Sequence, residues 1–149
     1  MSEADSAAEP EGANTLLVVD MANVVGSVPD GWWRDRARAA ERLLSGLAGL
    51  LARTVPDPEA IPVRIAGIVA VLEGRANLAK GPPSRAGDAL EIVRATGSGD
   101  DAVVQLVEAR VAAGDPELVV SADQGLRARL PEVVASTGPR WLNNLLGRG

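Results

Sequence analysis

The chain has 149 residues, which suits one domain with a sizeable core, and it contains neither cysteine nor histidine. Without these residues, disulfides, thiolate or imidazole metal ligands and serine–histidine pairs are excluded. Any catalysis therefore depends on carboxylates, with an oxygen-preferring cation such as Mg²⁺ or Mn²⁺. The formal net charge is −5, but four of the 20 acidic residues lie among the first 13 positions. The remainder is nearly neutral, so charge does not exclude nucleic acid as a partner.

Residues 1–13 are small, acidic and contain Pro10, which predicts a disordered tail ahead of a single domain over 14–149. The tail lacks the basic and apolar regions of a signal peptide, and no apolar run reaches the roughly 18 residues of a membrane helix. We therefore expect a cytoplasmic protein without a membrane partner. The sequence leaves open whether it forms a homodimer.

The first predicted element is a short buried strand over 15–20, which ends on a carboxylate, Asp20. A turn-rich loop over 26–33 follows, and a helix is predicted over 32–53. Its apolar face consists of leucines at spacings of three and four: Leu43, Leu44, Leu47, Leu50 and Leu51.

The rest of the chain alternates between apolar runs of strand length and helical segments, with a mobile loop predicted over 74–88. Further strands are predicted over 63–72, 89–95 and 118–121, with a short fifth over 133–135. Further helices are predicted over 100–113, directly after Asp123, and over 139–146. This alternation is typical of an α/β domain around a mostly parallel sheet of four or five strands.

Acidic residues follow these strands: Asp20, then Glu73, then Asp100 and Asp101, and finally Asp123. The carboxyl ends of parallel strands meet at one edge of a sheet, where ligands usually bind. Two carboxylates about 4 Å apart repel each other by roughly 4 kcal/mol at an effective dielectric near 20. A divalent cation would remove this cost, so the pattern predicts a metal site.

Helix capping is the competing interpretation, because aspartate is a preferred N-cap residue. Asp100, Asp101 and Asp123 each lie at a predicted helix start, and Asp20 with Asn23 could form an Asx turn. Capping explains each acid separately but not their convergence on one edge.

Three motifs, in this order, resemble the NYN branch of the PIN-like nucleases, and in particular small bacterial proteins of the YacP-like type. They are D-x-x-N-V from Asp20, a GSGDD turn that opens a helix, and S-A-D from Ser121 to Asp123. The stretches VVGSVPDGWWRDRA and GPRWL also resemble actinobacterial members. The resemblance covers residues 15–146 and implies a three-layer α/β/α sandwich with Mg²⁺- or Mn²⁺-dependent cleavage of RNA.

Carried over by position, the resemblance implies three catalytic residues: Asp20, Asp100 and Asp123. The implied metal ligands are Asp20, Asn23, Asp100, Asp101 and Asp123, with Glu73 as a further candidate. Ser121 would orient the site. A metal that activates water makes histidine unnecessary for such chemistry.

Three positions depart from the family pattern. Met21 replaces a frequent glycine, Arg127 stands where many active members have an acid, and Glu73 replaces a frequent aspartate. These departures favour a site that binds a metal but cleaves RNA slowly.

An arginine stripe, Arg34, Arg38 and Arg42, lies at helical spacing. We assign Arg34 and Arg38 as candidate substrate contacts, against the alternative of a solvated helix face. Trp32 and Trp33 could stack on bases, although anchoring in the core is the favoured interpretation for both. Trp141 is expected to anchor the last helix.

Three functions are therefore compared. The first is a metal-dependent ribonuclease or RNA-processing protein. The second is a nucleotide pyrophosphohydrolase that acts on free nucleotides with the same acids. The third is a non-catalytic module that binds RNA or protein through a degenerate site, as Met21 and Arg127 would favour.

Overall fold

A computed structural model describes residues 12–82, 89–114 and 116–148. The predicted disordered tail lies outside the described residues except for Gly12 and Ala13, and Ala13 already belongs to the first strand. Part of the loop predicted over 74–88 also lies outside them, although Gly74–Leu78 forms a 3₁₀ helix. Within the described ranges, no helix is long and apolar enough to cross a membrane.

Strands and helices alternate along most of the chain, as the sequence predicts. The described residues form six strands: β1 (Ala13–Asp20), β2 (Thr54–Pro56), β3 (Pro62–Leu72), β4 (Leu90–Arg94), β5 (Glu117–Val120) and β6 (Ala135–Thr137). The α-helices are α1 (Met21–Val25), α2 (Arg36–Ala48), α3 (Gly99–Ala112), α4 (Gln124–Ala128) and α5 (Pro139–Leu146). A 3₁₀ helix, Trp32–Arg34, precedes α2.

Five strands form a parallel sheet in the order β4-β3-β1-β5-β6. The short β2 adds antiparallel to the start of β3, on the side where β4 pairs further along. Because β1 and β5 are central neighbours, the residues that follow them emerge side by side at the carboxyl edge of the sheet.

Each face of the sheet is covered by helices, because side chains along a strand alternate between the two faces. Leu17 and Val19 of β1 pack with α2 and α5 in one core cluster. Val18 packs in a second cluster with valines of α3 and with Leu126 of α4. The result is a three-layer α/β/α arrangement, which confirms the predicted fold class.

The boundaries differ from the predictions in three places, each for a local reason. The helix predicted over 32–53 begins only at Arg36, because Asp35 is its N-cap and accepts the N–H of Arg38 at 3.0 Å. It ends at Ala48, and Leu50 reaches the core from a turn rather than from a helix.

The sequence did not predict β2, which brings the number of strands in the described residues to six instead of four or five. It contains Pro56 and lies in a proline-rich stretch between the predicted helix over 32–53 and the predicted strand over 63–72. The predicted fifth strand is shifted from 133–135 to Ala135–Thr137. Val133 is 81% exposed, so its β-branched side chain misled the prediction.

Candidate functional site

Asp20 is the last residue of β1 and is only 3% exposed. Its Oδ2 accepts a hydrogen bond from the Ser121 hydroxyl at 2.8 Å and one from the Asn23 amide at 2.6 Å. Burial raises the pKa of Asp20, although the bonds from Ser121 and Asn23 oppose the rise. Ser121 lies after β5, far from Asp20 along the chain, so a local Asx turn alone does not account for the position of the Asp20 carboxylate.

The segment after β5 connects Asp20 to the second acid of the site. Ser121 is completely buried, and its Oγ accepts the backbone N–H of Asp123 at 3.1 Å. Asp123 in turn is the N-cap of α4, because its Oδ1 accepts the N–H of Leu126 at 3.1 Å. Ser121 therefore fixes both the Asp20 carboxylate and the backbone that carries Asp123.

The start of α3 supplies Asp100 without using it as a cap. Ser98 is the N-cap, and its Oγ accepts the N–H groups of Asp100 at 3.1 Å and Asp101 at 3.4 Å. The pKa of Asp100 is raised first by burial and then by the charges of Asp123 and Asp20. A hydrogen bond with the Asp123 carboxyl contributes to the rise as well, so these acids share one site.

Asp101 points elsewhere. Its Oδ1 accepts from the Arg129 guanidinium at 2.8 Å, and its side chain is 59% exposed. The capping interpretation is thus wrong for Asp100 and Asp101 and confirmed for Asp123.

Glu73 follows β3 and approaches the same edge from the other side of β1. Its Oε1 accepts the backbone N–H of Gly99, and its charge raises the pKa values of both Asp20 and Asp100. A Cβ at position 99 would lie 2.7 Å from the Glu73 Oε1, so any other residue there would displace the Glu73 carboxylate. The longer side chain thereby connects the ends of β3 and α3.

Four segments therefore bring four acids together: Asp20, Glu73, Asp100 and Asp123. In the described ranges, no three acidic side chains are spaced as a ready-formed metal site. Mutual repulsion disfavours closer approach of unneutralised carboxylates. The oxygen-only donor set nevertheless suits a hard cation such as Mg²⁺ or Mn²⁺. The predicted ligand set, with Asn23 beside Asp20, stays a prediction.

Two of the three departures from the NYN-like pattern, Met21 and Arg127, lie in distinct environments. Met21 is fully buried and packs in the core cluster with α2, so its side chain adds bulk chiefly to the core. The Arg127 guanidinium donates to Ser136 of β6, with Nε at 3.1 Å from the Ser136 Oγ. That contact makes Arg127 a structural residue that ties α4 to the sheet.

The three arginines of the predicted stripe have different surroundings. Arg34 lies over the Trp33 ring, with 5.8 Å from its guanidinium carbon to the ring centroid, while Arg42 lies 4.0 Å from Asp30. Arg38 is exposed in the first turn of α2. Arg34 lines a groove of about 670 Å³ together with Trp33, Arg36, Arg75 and Leu78.

We did not predict Arg75, because nothing in the sequence indicated that the turn after Glu73 faces the start of α2. This turn forms a wall of the groove through Gly74 and Arg75.

The tryptophans differ in environment. Trp32 is half-buried and packs against the core, whereas Trp33 is 52% exposed, so the core-anchor prediction is wrong for Trp33. Trp141 of α5 packs against the core, and its Nε1 donates to the Pro56 carbonyl at 3.0 Å, as expected of an anchor.

The fold is a three-layer α/β/α sandwich with acidic residues at the carboxyl edge of its parallel sheet. The chain is similar to two solved structures of Rae1 (YacP) from Bacillus subtilis. One is a W164L mutant, with a TM-score of 0.66 and 14% identity over 89% of this chain and 75% of that one. The other has a TM-score of 0.62 and 15% identity over 89% and 73%. No protein-family model and no curated protein matches the sequence.

Proposed function

We propose that this protein is a nuclease that hydrolyses phosphodiester bonds of RNA with Mg²⁺ or Mn²⁺ bound at the carboxyl edge of the sheet. The observation that carries the proposal is the buried carboxylate of Asp20, which Ser121 and Asn23 hold at the sheet edge where its charge and that of Asp123 raise the pKa of Asp100. Burying an uncompensated charge is costly, so such an arrangement supports a cationic ligand.

Each residue of the chain has a distinct task in this proposal. Asp20, Asp100 and Asp123 would hold the cation, which supplies Lewis-acid activation of water and of the phosphoryl group when bound. Ser121 and Asn23 would position the Asp20 carboxylate. Asp101 is left out of the proposed ligand set because its carboxylate is paired with Arg129.

The surface next to these acids supports a polyanionic substrate. Arg34, Arg36 and Arg75 line one groove, which reaches Gly74, directly after Glu73. Guanidinium groups bind phosphates and release counterions, which favours a nucleic-acid backbone over a neutral substrate. The groove is partly open to solvent, so a single strand of RNA can lie along it. The similarity to the Rae1 (YacP) fold and the NYN-like motifs support the same class of function.

The proposal is tested by incubating a short single-stranded RNA with the protein in Mg²⁺, in Mn²⁺ and in EDTA. We expect cleavage only with a cation, and a loss of at least about 100-fold in Asp20→Asn, because metal catalysis is worth several kcal/mol. Asp101→Asn is the matched control, and its rate should stay within about twofold of wild type. Equal rates for Asp20→Asn and wild type would contradict the site.

The same assay separates the two alternatives. Metal-dependent turnover of nucleoside triphosphates without cleavage of RNA would assign the acids to a pyrophosphohydrolase. Cation and RNA binding without turnover of either substrate would indicate a non-catalytic RNA-binding module.

A further inference from the structure

A cavity of about 390 Å³ opens beside the acidic edge. Its apolar wall comes from Met21, Ala22 and Val25 of α1, with Ala76 opposite, and Trp32 lines it as well. We name it the Trp32 pocket. Its volume lies within the range of small-molecule sites, roughly 300–1,000 Å³. Because Met21 directly follows Asp20, a ligand in this pocket would lie next to the proposed metal site.

The indole of Trp32 is fixed by its neighbours. It meets Trp33 edge to face, with the ring centroids 5.9 Å apart and the planes at 87°. A Cβ at Gly26 would lie 3.7 Å from the Trp32 Cζ2, an ordinary van der Waals distance, so the indole lies beside the backbone that follows α1. A flat ligand can therefore meet an aromatic ring that is already in place, which reduces the entropy lost on binding.

Two opposite charges complete the pocket. The Arg36 guanidinium carbon lies 5.2 Å from the centroid of the Trp32 ring, and Glu73 lines the pocket near the acids. Arginine offers only hydrogen-bond donors, and a carboxylate offers only acceptors. A nucleobase presents both kinds of group on its edges and a π face for stacking, so it matches all three elements. An aliphatic ligand would use neither charged group.

We propose that the Trp32 pocket binds one unstacked nucleobase of a single-stranded RNA whose adjoining phosphate lies at the acidic edge. The inference rests on the proposed function for the position of the phosphate. Trp32 would stack on the base, Arg36 would donate to its acceptor groups, and Glu73 would accept from its amino or imino groups. The arginine groove, which shares Arg36 and Gly74 with the pocket, would carry the neighbouring backbone.

The test uses guanosine and ribose as probes in EDTA. Because neither carries a phosphate, their binding depends neither on a cation nor on the catalytic acids. The indole N–H signals of the three tryptophans are followed by NMR during each titration, and Trp32→Leu identifies the Trp32 signal. We expect guanosine, but not ribose, to shift the Trp32 signal saturably.

Variants sharpen this test. Trp32→Leu should weaken guanosine binding about tenfold or more, measured by calorimetry, because base–aromatic stacking is lost. Ala22→Leu, at an exposed position of α1, should block the pocket without disturbing the core. Trp141→Leu, on α5, is the matched control and should leave guanosine affinity within twofold. Equal binding by wild type and Ala22→Leu, or no shift of the Trp32 signal, would overturn the proposal.

A last comparison identifies the source of the base. A guanosine-containing hexaribonucleotide should bind at least tenfold more tightly than guanosine 5′-monophosphate, because the groove adds phosphate contacts. The reverse order would overturn the RNA-strand proposal and assign the pocket to a free nucleotide. If cleavage depends on Asp20 but guanosine does not bind, the pocket assignment fails and the nuclease proposal stands. If guanosine binds but no RNA is cleaved, the pocket assignment stands and the nuclease proposal fails.

Discussion

The first turns of α3 and α4 both present aspartates to the carboxyl edge of the sheet, but their backbone N–H groups find different partners. At α3 the hydroxyl of Ser98 caps the helix, which leaves the Asp100 carboxylate free for the site. At α4 the Asp123 carboxylate is itself the cap through one oxygen. An aspartate at a helix start can therefore cap the helix, contribute to the acidic site, or do both. At α3, the Ser98 hydroxyl takes over the capping role, so Asp100 does not have to cap.

The largest expected effect concerns catalysis. Asp100→Asn and Asp123→Asn should each reduce RNA cleavage by at least about 100-fold, because both remove a proposed ligand charge. Asp123→Asn should nevertheless keep its helix, since an asparagine side-chain oxygen also accepts an N-cap hydrogen bond. Cleavage rates and thermal unfolding of both variants check this. A fully active Asp123→Asn variant would reduce Asp123 to a cap.

A smaller effect is expected on the pH dependence of stability, through Asp20 and Asp100, which do not cap helices. Burial and neighbouring acids raise the pKa values of Asp20 and Asp100 in the folded chain above the ordinary aspartate value of 3.8. Their contribution to stability is therefore fully present below about pH 3.8 and is lost as pH rises through their folded pKa values.

In EDTA, the melting temperature of Asp100→Asn minus that of wild type should therefore increase between pH 4 and pH 7. Thermal unfolding at several pH values measures this difference. A difference that is constant or decreases with pH would mean that the Asp100 carboxylate carries no electrostatic cost in the folded chain.

The smallest effect concerns the cap alone. Ser98→Ala should lower the free energy of unfolding by about 1 kcal/mol, because two N–H groups of α3 lose their acceptor. Urea unfolding measures the change, and Ser98→Asn, which restores a neutral N-cap acceptor, is the matched control. If Ser98→Ala cost nothing, the Asp100 carboxylate would be able to replace the cap, and the contrast between α3 and α4 would disappear.

The parts of the fold that follow from hydrophobic periodicity could be predicted from the sequence. The apolar runs that became β1, β3 and β5 are buried on both faces, and α5 has the predicted bounds. Short polar elements could not be predicted in the same way. β6 consists of Ala, Ser and Thr, and β2 depends on antiparallel pairing with Pro62–Arg64, across the connection over 57–61, rather than on its own residues.

For the site, the sequence placed the acids at one edge because parallel strands must end together. It could not separate Asp100 from Asp101, since one position along a helix turns a side chain by about 100°. That rotation directs Asp101 to Arg129, and nothing local to the GSGDD turn indicates this partner. The Trp32 pocket likewise depends on contacts between α1, the first loop and the turn after β3.

Thermal unfolding at pH 7 in EDTA, Mg²⁺ and Mn²⁺, for wild type and Asp20→Asn, tests the metal site most directly. A cation that binds only the folded chain should stabilise wild type by about 2.7 kcal/mol at a hundredfold excess over its Kd. In EDTA, Asp20→Asn should melt at or above the wild-type temperature, because an uncompensated buried charge is gone, and cations should not raise it further. No cation-dependent shift in wild type, or an equal shift in both proteins, would contradict a metal site at Asp20.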